Sequence, residues 1–285
     1  MTELKRKDIQ PLIDVALSED VGSGDITSNW TVPDSMTASA DFVAKATGVV
    51  SGLQVAAWVF DTVDGSAAFE SKVSDGERVH PGDLIATVSG PARGLLTGER
   101  TALNFLQRMS GVATLTCRYV KQTLGTDATI LDTRKTIPGW RKLDKYAVAV
   151  GGGKNHRFGL FDMVLIKENH IEAADGIGPA VNGVRKHLNG NADDVKIEVE
   201  VKTLIELEEA MMAAVDWVML DNMGVDTMVE AVQMVRNQRG GPLLEASGNV
   251  TLDRVKEIAG TGVDYISVGS LTHSATALDI SMLFR

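Results

Sequence analysis

Between Leu131 and Ile171 the chain collects more reactive side chains than anywhere else along its length. Counted from Arg134 to His170, eight cations (Arg134, Lys135, Arg141, Lys142, Lys145, Lys154, Arg157 and Lys167) stand against three acids, Asp144, Asp162 and Glu168. The 285-residue protein as a whole carries a formal net charge of −10, so this local excess needs a reason. A solvated basic face is the ordinary explanation of a charge run. Here the cations lie among Gly151-Gly152-Gly153, Pro138-Gly139 and apolar, strand-like residues, which is not the texture of an exposed helix. Glycine-rich backbone with Arg, Lys and His around it lets N–H groups and fixed cations converge on an anion of several charges. The stretch therefore reads as a polyanion site.

The elements that must position such a site follow Leu124. Apolar, strand-like runs occur at Thr129–Leu131, Met163–Ile166, Ile197–Val201, Trp217–Leu220, Leu243–Leu244 and Tyr265–Val268. Between the later ones lie helical stretches, Thr203–Val215, Thr227–Gln238 and Leu252–Ala259, each with one apolar stripe. Short apolar strands alternating with amphipathic helices predict a parallel sheet covered by helices, an α/β barrel in which six strands fall short of the full eight. Polar residues cluster at the carboxyl ends of these strands: Lys167, Asn169 and His170; Glu198 and Glu200; Asp221 and Asn222; Ser247 and Asn249; Gly269 and Ser270. That rim is where α/β barrels carry their active sites. Taken singly, Asn222, Thr251 and Thr272 read as helix caps, but five polar rims together do not.

Ahead of the barrel, apolar spacing over Ile9–Leu17 predicts an amphipathic helix, and Glu19–Thr27 reads as a polar structural loop. From Ala38 to Val88 short alternating runs (Ala40-Phe42-Ala44, Ala68-Glu70-Lys72, Leu84-Ala86-Val88) broken by glycines predict a small sheet. Arg93–Leu124 is one long helix carrying Arg100 and Arg108, the latter expected as a surface charge. The V-x-P-G-D-x-I-A turn at Val79–Ala86 also occurs in lipoyl-type carrier sandwiches, but no modifiable lysine sits at a hairpin tip. A single cysteine, Cys117, excludes an internal disulfide and any thiolate zinc cluster and fits a reducing cytoplasm, where it is expected as a buried apolar filler. The N-terminus lacks an apolar leader core and no run is long enough to span a membrane, so a soluble, cytoplasmic protein is expected. The acidic balance argues against nucleic-acid binding.

The strings T-R-K-T (Thr133–Thr136), P-G-W-R-K-L-x-K-Y-A-V (Pro138–Val148), G-G-G-x-x-H-R (Gly151–Arg157) and L-I-K-E-N-H (Leu165–His170) closely resemble quinolinate phosphoribosyltransferases. So do G-E-R-T-A-L-N (Gly98–Asn104), E-V-E-V (Glu198–Val201), M-L-D-N-M (Met219–Met223), E-A-S-G-N-V (Glu245–Val250) and S-V-G-S-L-T-H-S (Ser267–Ser274). Order and spacing agree from about Ile9 onward. The resemblance implies an α/β fold: an N-terminal α+β sandwich domain over residues 1–105, joined by residues 274–285, and an incomplete α/β barrel over 106–273. It implies phosphoribosyl transfer from phosphoribosyl pyrophosphate to quinolinate with decarboxylation, giving nicotinate mononucleotide, pyrophosphate and carbon dioxide. It further implies a homodimer with shared active sites, in which Arg100 reaches the neighbouring subunit's site; the alternative for Arg100 is a surface pair with Glu99.

On that expectation the residues divide by chemistry. Planar guanidinium groups suit the two adjacent carboxylates of quinolinate, which makes Arg134, Arg157 and a partner's Arg100 the candidates, with Thr133, His156 and Lys167 completing the cage. The alternative for His156 is a hydrogen-bonded loop histidine, and Lys167 reads as shared between both substrates. Glu200 and Asp221 accept from the ribose hydroxyls or hold Mg²⁺, the expected cofactor, directly or through phosphate. Lys135 neutralises departing pyrophosphate, while Ser247-Gly248-Asn249 and Val268-Gly269-Ser270, each read as leading into a helix, cradle the 5′-phosphate. Lys135, Lys167, Glu200 and Asp221 are the expected catalytic groups.

Overall fold

The computed structural model describes residues 3–188 and 195–285. In chain order the elements are α1 (Arg6–Val21), α2 (Ile26–Thr31), β1 (Thr37–Ala44), β2 (Gly48–Val49), α3 (Leu53–Val63), β3 (Ala68–Ser71), β4 (Arg78–Val79), β5 (Leu84–Pro91), α4 (Ala92–Gln122) and β6 (Thr129–Leu131). There follow α5 (Arg141–Val150), β7 (Val164–Ile166), α6 (Glu168–Ala173), α7 (Ile177–Leu188), β8 (Ile197–Val201), α8 (Leu204–Met212) and β9 (Trp217–Asp221). The chain closes with α9 (Val225–Arg236), β10 (Leu243–Ser247), α10 (Val255–Ala259), β11 (Tyr265–Ser267), α11 (Ser270–His273) and β12 (Ile280–Phe284). These elements form two compact units. The first takes the residues up to Cys117 with Thr136–Gly152 and Leu271–Arg285, and the second takes Arg118–Lys135 and Gly153–Ser270.

The first unit is built on an antiparallel sheet ordered β12-β1-β5-β3, with β2 and β4 paired separately. In β1 the alternation read from the sequence sends Ala40, Phe42 and Ala44 into the core, all fully buried. Phe42 meets Phe60 of α3 edge-on at 5.9 Å and Phe69 of β3 at 5.6 Å. Helix α3 was not expected: its segment lies inside the stretch read as short strands, although Leu53, Ala56, Val59 and Phe60 have helical spacing and are buried. Asp75 starts it by accepting the Gly52 and Leu53 N–H groups at 2.9 and 3.2 Å. Helix α1 runs on to Val21, so only Gly22–Asp25 of the expected loop remains, and Asp25 caps α2 by accepting from the Ser28 N–H at 2.9 Å.

Three other expectations for this unit are corrected. Arg108 is no surface charge: its side chain is 17% exposed and donates to the Ala275 and Thr272 carbonyl oxygens, 3.7 Å from the buried Asp144. Cys117 is half-buried rather than buried. The glycines after α5 do not present their N–H groups to an anion. Gly151 and Gly152 donate to Ala147 and Ala149 of α5, and a Cβ on Gly151 would come within 2.5 Å of the Ala113 carbonyl oxygen of α4. Glycine is there for close helix packing. The same helix removes three of the eight cations from the expected cluster: Arg141 donates to Thr136 at 3.1 Å, Lys142 pairs with Asp8 at 2.8 Å, and Lys145 is buried.

The second unit is the expected parallel sheet of six strands, ordered β6-β11-β10-β9-β8-β7, with β6 and β7 as its outer members. Its strands are near-continuously buried, as for β8, where Ile197, Val199 and Val201 are at most 4% exposed. Because successive side chains alternate between faces, Glu198 and Glu200 share one face of β8, Met219 and Asp221 one face of β9, and Glu245 and Ser247 one face of β10. The register puts Glu200 beside Met219 and Ser247 beside Asp221. Thus Asp221 and Ser247 stand side by side at the carboxyl ends of β9 and β10, with Glu200 of β8 one pair of residues below them on the same face, beside Met219. Among the described residues no helix is long and apolar enough to cross a membrane.

Candidate active site

A cavity of about 550 Å³ opens at those carboxyl ends and is lined wholly by residues of the second unit. After β6 the chain delivers Asp132, Thr133, Arg134 and Lys135 to it; the turn ahead of β7 delivers His156 and Arg157, and the end of β7 delivers Lys167. Glu200, Asp221 and Ser247-Gly248-Asn249 come from β8, β9 and β10. Arg134 and Arg157 are close enough that the pKa of Arg157 is lowered, first by burial and next by the charge of Arg134, with Glu198 and Asp162 opposing. Two guanidinium groups held against their mutual repulsion describe a wall for an anion with more than one negative charge. Arg157 is anchored at its far side by donating to the Met163 carbonyl oxygen at 3.2 Å. Lys167 and Glu200 form an ion pair in which the carboxylate is the more buried partner.

The two turns expected to cradle a phosphate differ in place and in shape from that expectation. Ser247, Gly248 and Asn249 line the cavity, yet α10 begins only at Val255, so no helix end stands directly behind them. What shapes this turn is left-handed backbone at Asn222 (φ 54°), Gly248 (φ 95°) and Asn249 (φ 49°). Asn222 is not a helix cap; Gly224 holds that position for α9, and the Asn222 side chain instead accepts from Asn249 at 2.9 Å and donates to Asp221 at 3.0 Å. Thr251 is likewise not a cap, since Arg254 precedes α10, and Thr272 lies inside α11, fully buried. Val268, Gly269 and Ser270 are outside the cavity lining; they lead into the four-residue α11, and Ser270 lies 3.3 Å from the Tyr119 hydroxyl. Arg100 is exposed on α4 in the first unit.

His156 occupies a special place. Its side chain is 6% exposed; Nε2 lies 3.0 Å from Glu198 and 3.3 Å from Glu245, while Nδ1 accepts the Arg157 N–H at 2.7 Å. Burial alone would push its pKa down, but the hydrogen bond to Glu198 and the presence of Glu245 push it up. Burial raises Glu198 as well, helped by the charge of Glu245. With the Arg157 N–H aimed at Nδ1, Nε2 carries the hydrogen and donates to Glu198 at 3.0 Å.

Sequence reasoning missed Asp132, Leu165, Met219 and Ser267 as lining residues. Asp132 had a signal: it opens the D-T-R-K string, and its carboxylate accepts from the His156 N–H at 2.9 Å and the Asn155 amide at 2.7 Å. Leu165, Met219 and Ser267 lie within strands, and nothing in their residue type marks them as lining.

Comparison with known proteins agrees along the whole chain. The family descriptions for the N-terminal and C-terminal domains of quinolinate phosphoribosyl transferase match residues 25–110 and 112–283. A quinolinate phosphoribosyltransferase (decarboxylating) 1b of Nicotiana tabacum is 46% identical over 291 residues, covering 96% of this chain and 82% of that protein. A probable nicotinate-nucleotide pyrophosphorylase (carboxylating) of Synechocystis is 42% identical, with 96% and 92% covered. The solved structure of the nicotinate-nucleotide pyrophosphorylase from Francisella tularensis superposes with a TM-score of 0.94 at 39% identity, over 99% of this chain and 98% of that one.

Proposed function

From the premise that the chain belongs to the quinolinate phosphoribosyltransferase family, we propose how its cavity transfers a phosphoribosyl group from phosphoribosyl pyrophosphate to quinolinate with loss of carbon dioxide. The observation that carries this reading is the sharing of one cavity by four cations, Arg134, Lys135, Arg157 and Lys167, and three carboxylates, Asp132, Glu200 and Asp221, of which Asp132 is taken up by the His156 N–H and the Asn155 amide. Arg134 and Arg157 take the two quinolinate carboxylates, with Thr133 beside them, since paired guanidiniums match adjacent carboxylates in geometry and charge. Lys167, already paired with Glu200, stands between the two substrates. Lys135 neutralises pyrophosphate as the bond between it and the sugar breaks. Glu200 and Asp221 face the sugar carbon as it becomes oxocarbenium-like, and the pyridine nitrogen attacks from the opposite side. Departure of the carboxylate next to the quaternised nitrogen as carbon dioxide leaves the electron pair on the ring carbon, stabilised by the adjacent positive nitrogen, and that carbon then takes up a proton from solvent. The 5′-phosphate lies on the N–H groups of Ser247-Gly248-Asn249, with Val268-Gly269-Ser270 completing its surroundings.

Mg²⁺ fits this site. Glu200 and Asp221 offer hard oxygen donors facing one cavity, and a bound Mg²⁺ would supply charge neutralisation to the pyrophosphate oxygens. The working unit in this reading is a homodimer in which Arg100 of each copy, exposed on α4, completes the dicarboxylate cage of the other. The setting is the cytoplasm, in keeping with one unpaired thiol. Incubation with quinolinate, phosphoribosyl pyrophosphate and Mg²⁺ should release carbon dioxide and pyrophosphate in equal amounts with a mononucleotide. Absence of all three across a range of salt and pH would overturn the reading.

A further inference from the structure

Beneath the cavity lies a group of ionisable side chains that the reaction above does not use: Glu198 of β8 and Glu245 of β10, both fully buried and both facing Nε2 of His156. Burying two carboxylates in a parallel sheet is costly, and replacing such groups by apolar side chains of similar volume is commonly neutral or stabilising. The cost is visible in this structure, since one oxygen of Glu198 and both of Glu245 find no hydrogen-bond donor; Glu245 faces Nε2 at 3.3 Å without the alignment of a hydrogen bond. A device retained against stability calls for a use. Both carboxylates converge on one atom, Nε2 of His156. The opposite ring nitrogen receives the backbone N–H of Arg157 at 2.7 Å. The ring is further confined by the edge-on Trp217, 6.1 Å away, which stacks on Tyr265 at 4.3 Å. The backbone N–H of His156 is held by Asp132 at 2.9 Å. Both ring nitrogens are thus committed inside the protein, and a 6% exposed side chain has little surface left for a substrate.

We propose that Glu198 and Glu245 are positioning residues for quinolinate: they hold the His156 ring, the ring holds the Arg157 backbone, and the Arg157 guanidinium is thereby fixed at the dicarboxylate wall. His156 in this scheme acts through Arg157 rather than on the substrate. The inference rests on the assignment of Arg157 to quinolinate made above. It also accounts for the choice of carboxylates, because Nε2–H is a donor and needs an acceptor behind it that is itself immobile.

The test separates the two substrates. Glu198→Met and Glu245→Met keep side-chain length and remove the carboxylate. Glu198→Met should raise the KM for quinolinate about tenfold, the equivalent of one lost buried hydrogen-bond link, and Glu245→Met, which removes only a charge facing Nε2, should raise it in the same direction by less, while in both the KM for phosphoribosyl pyrophosphate stays within about twofold and thermal stability is kept or increased. Glu198→Gln, which leaves Nε2–H an oxygen to donate to, should return quinolinate KM to within about threefold of wild type. Should a methionine variant fail to fold, the one that folds decides; should both fail, the double-mutant cycle of Glu198→Gln with Arg157→Lys must show non-additive quinolinate KM values. Quinolinate KM unchanged in the folded variants, both KM values raised alike, or additive effects in the cycle would overturn the proposal. Arg157→Ala is run beside them: an unchanged quinolinate KM there sinks the assignment of Arg157 and this inference with it, whereas a large rise there with none in the methionine variants sinks the inference alone.

Discussion

Gly248→Ala is a single methyl group at the point where the backbone of the site is most constrained. At φ 95° an L side chain is strained, which costs alanine about 1–2 kcal/mol. The added Cβ would lie 2.3 Å from Oδ1 and 2.4 Å from Cγ of Asn222, so the Asn222 amide must swing away. In doing so it gives up the bonds to Asn249 and Asp221, 2.9 and 3.0 Å long, for a further cost of about 0.5–1 kcal/mol each at this exposed position. The sum is a loss of about 2–4 kcal/mol of stability. Displacing Ser247–Asn249 should also remove at least one N–H bond to the phosphate, raising KM for phosphoribosyl pyrophosphate about tenfold or more. Urea denaturation and initial-rate kinetics measure both. Gly183→Ala in α7 is the control, since its Cβ would meet nothing within 4 Å and should stabilise by about 0.5–1 kcal/mol. A Gly248→Ala enzyme within about 0.5 kcal/mol of wild type and with unchanged KM would refute the account of this turn.

Glu200→Gln and Asp221→Asn should lower turnover far more than quinolinate affinity, because they face the sugar; an unchanged kcat would remove them from the reacting centre. Mixing inactive Arg100→Ala with inactive Arg157→Ala under subunit exchange should restore activity at one of the two sites of each mixed dimer; continued inactivity of proven mixed dimers would show that Arg100 does not act across subunits. Asp25→Ala at the start of α2 should cost about 1 kcal/mol near neutral pH. The Ser28 hydroxyl and N–H lower the Asp25 pKa from its ordinary value of 3.8, so this contribution is present above that value and lost as pH falls through the lowered folded one. Denaturation of both proteins from pH 7 down to pH 3 should show the difference shrinking; a constant difference would contradict the capping role.

Periodicity alone located all six strands of the parallel sheet and the long α4, because strand alternation and helical stripes are local properties of buried faces. The same local character let residue type mark Lys167, Glu200 and Asp221 as rim groups, and the basic run marked Arg134 and Arg157. What local pattern could not decide was which cations share a surface. Arg141, Lys142 and Lys145 sit within eleven residues of Arg134, but a turn at Pro138-Gly139 sends them onto α5, where the first unit uses them. Arg108 read as a surface charge because nothing nearby in sequence announces the carbonyls of Thr272 and Ala275 that it binds. The triple glycine looked like an anion loop, whereas its first member is there for the approach of α4. His156 shows the limit most plainly. A histidine beside an arginine in a basic run reads as a substrate ligand, with a structural residue as the alternative, and only the folded sheet, by bringing Glu198 and Glu245 from two other strands to Nε2, determines what the ring can do. Charge and period are written along the chain; the partner of a buried polar atom is set by tertiary packing, because it can come from any strand the fold places within 3 Å.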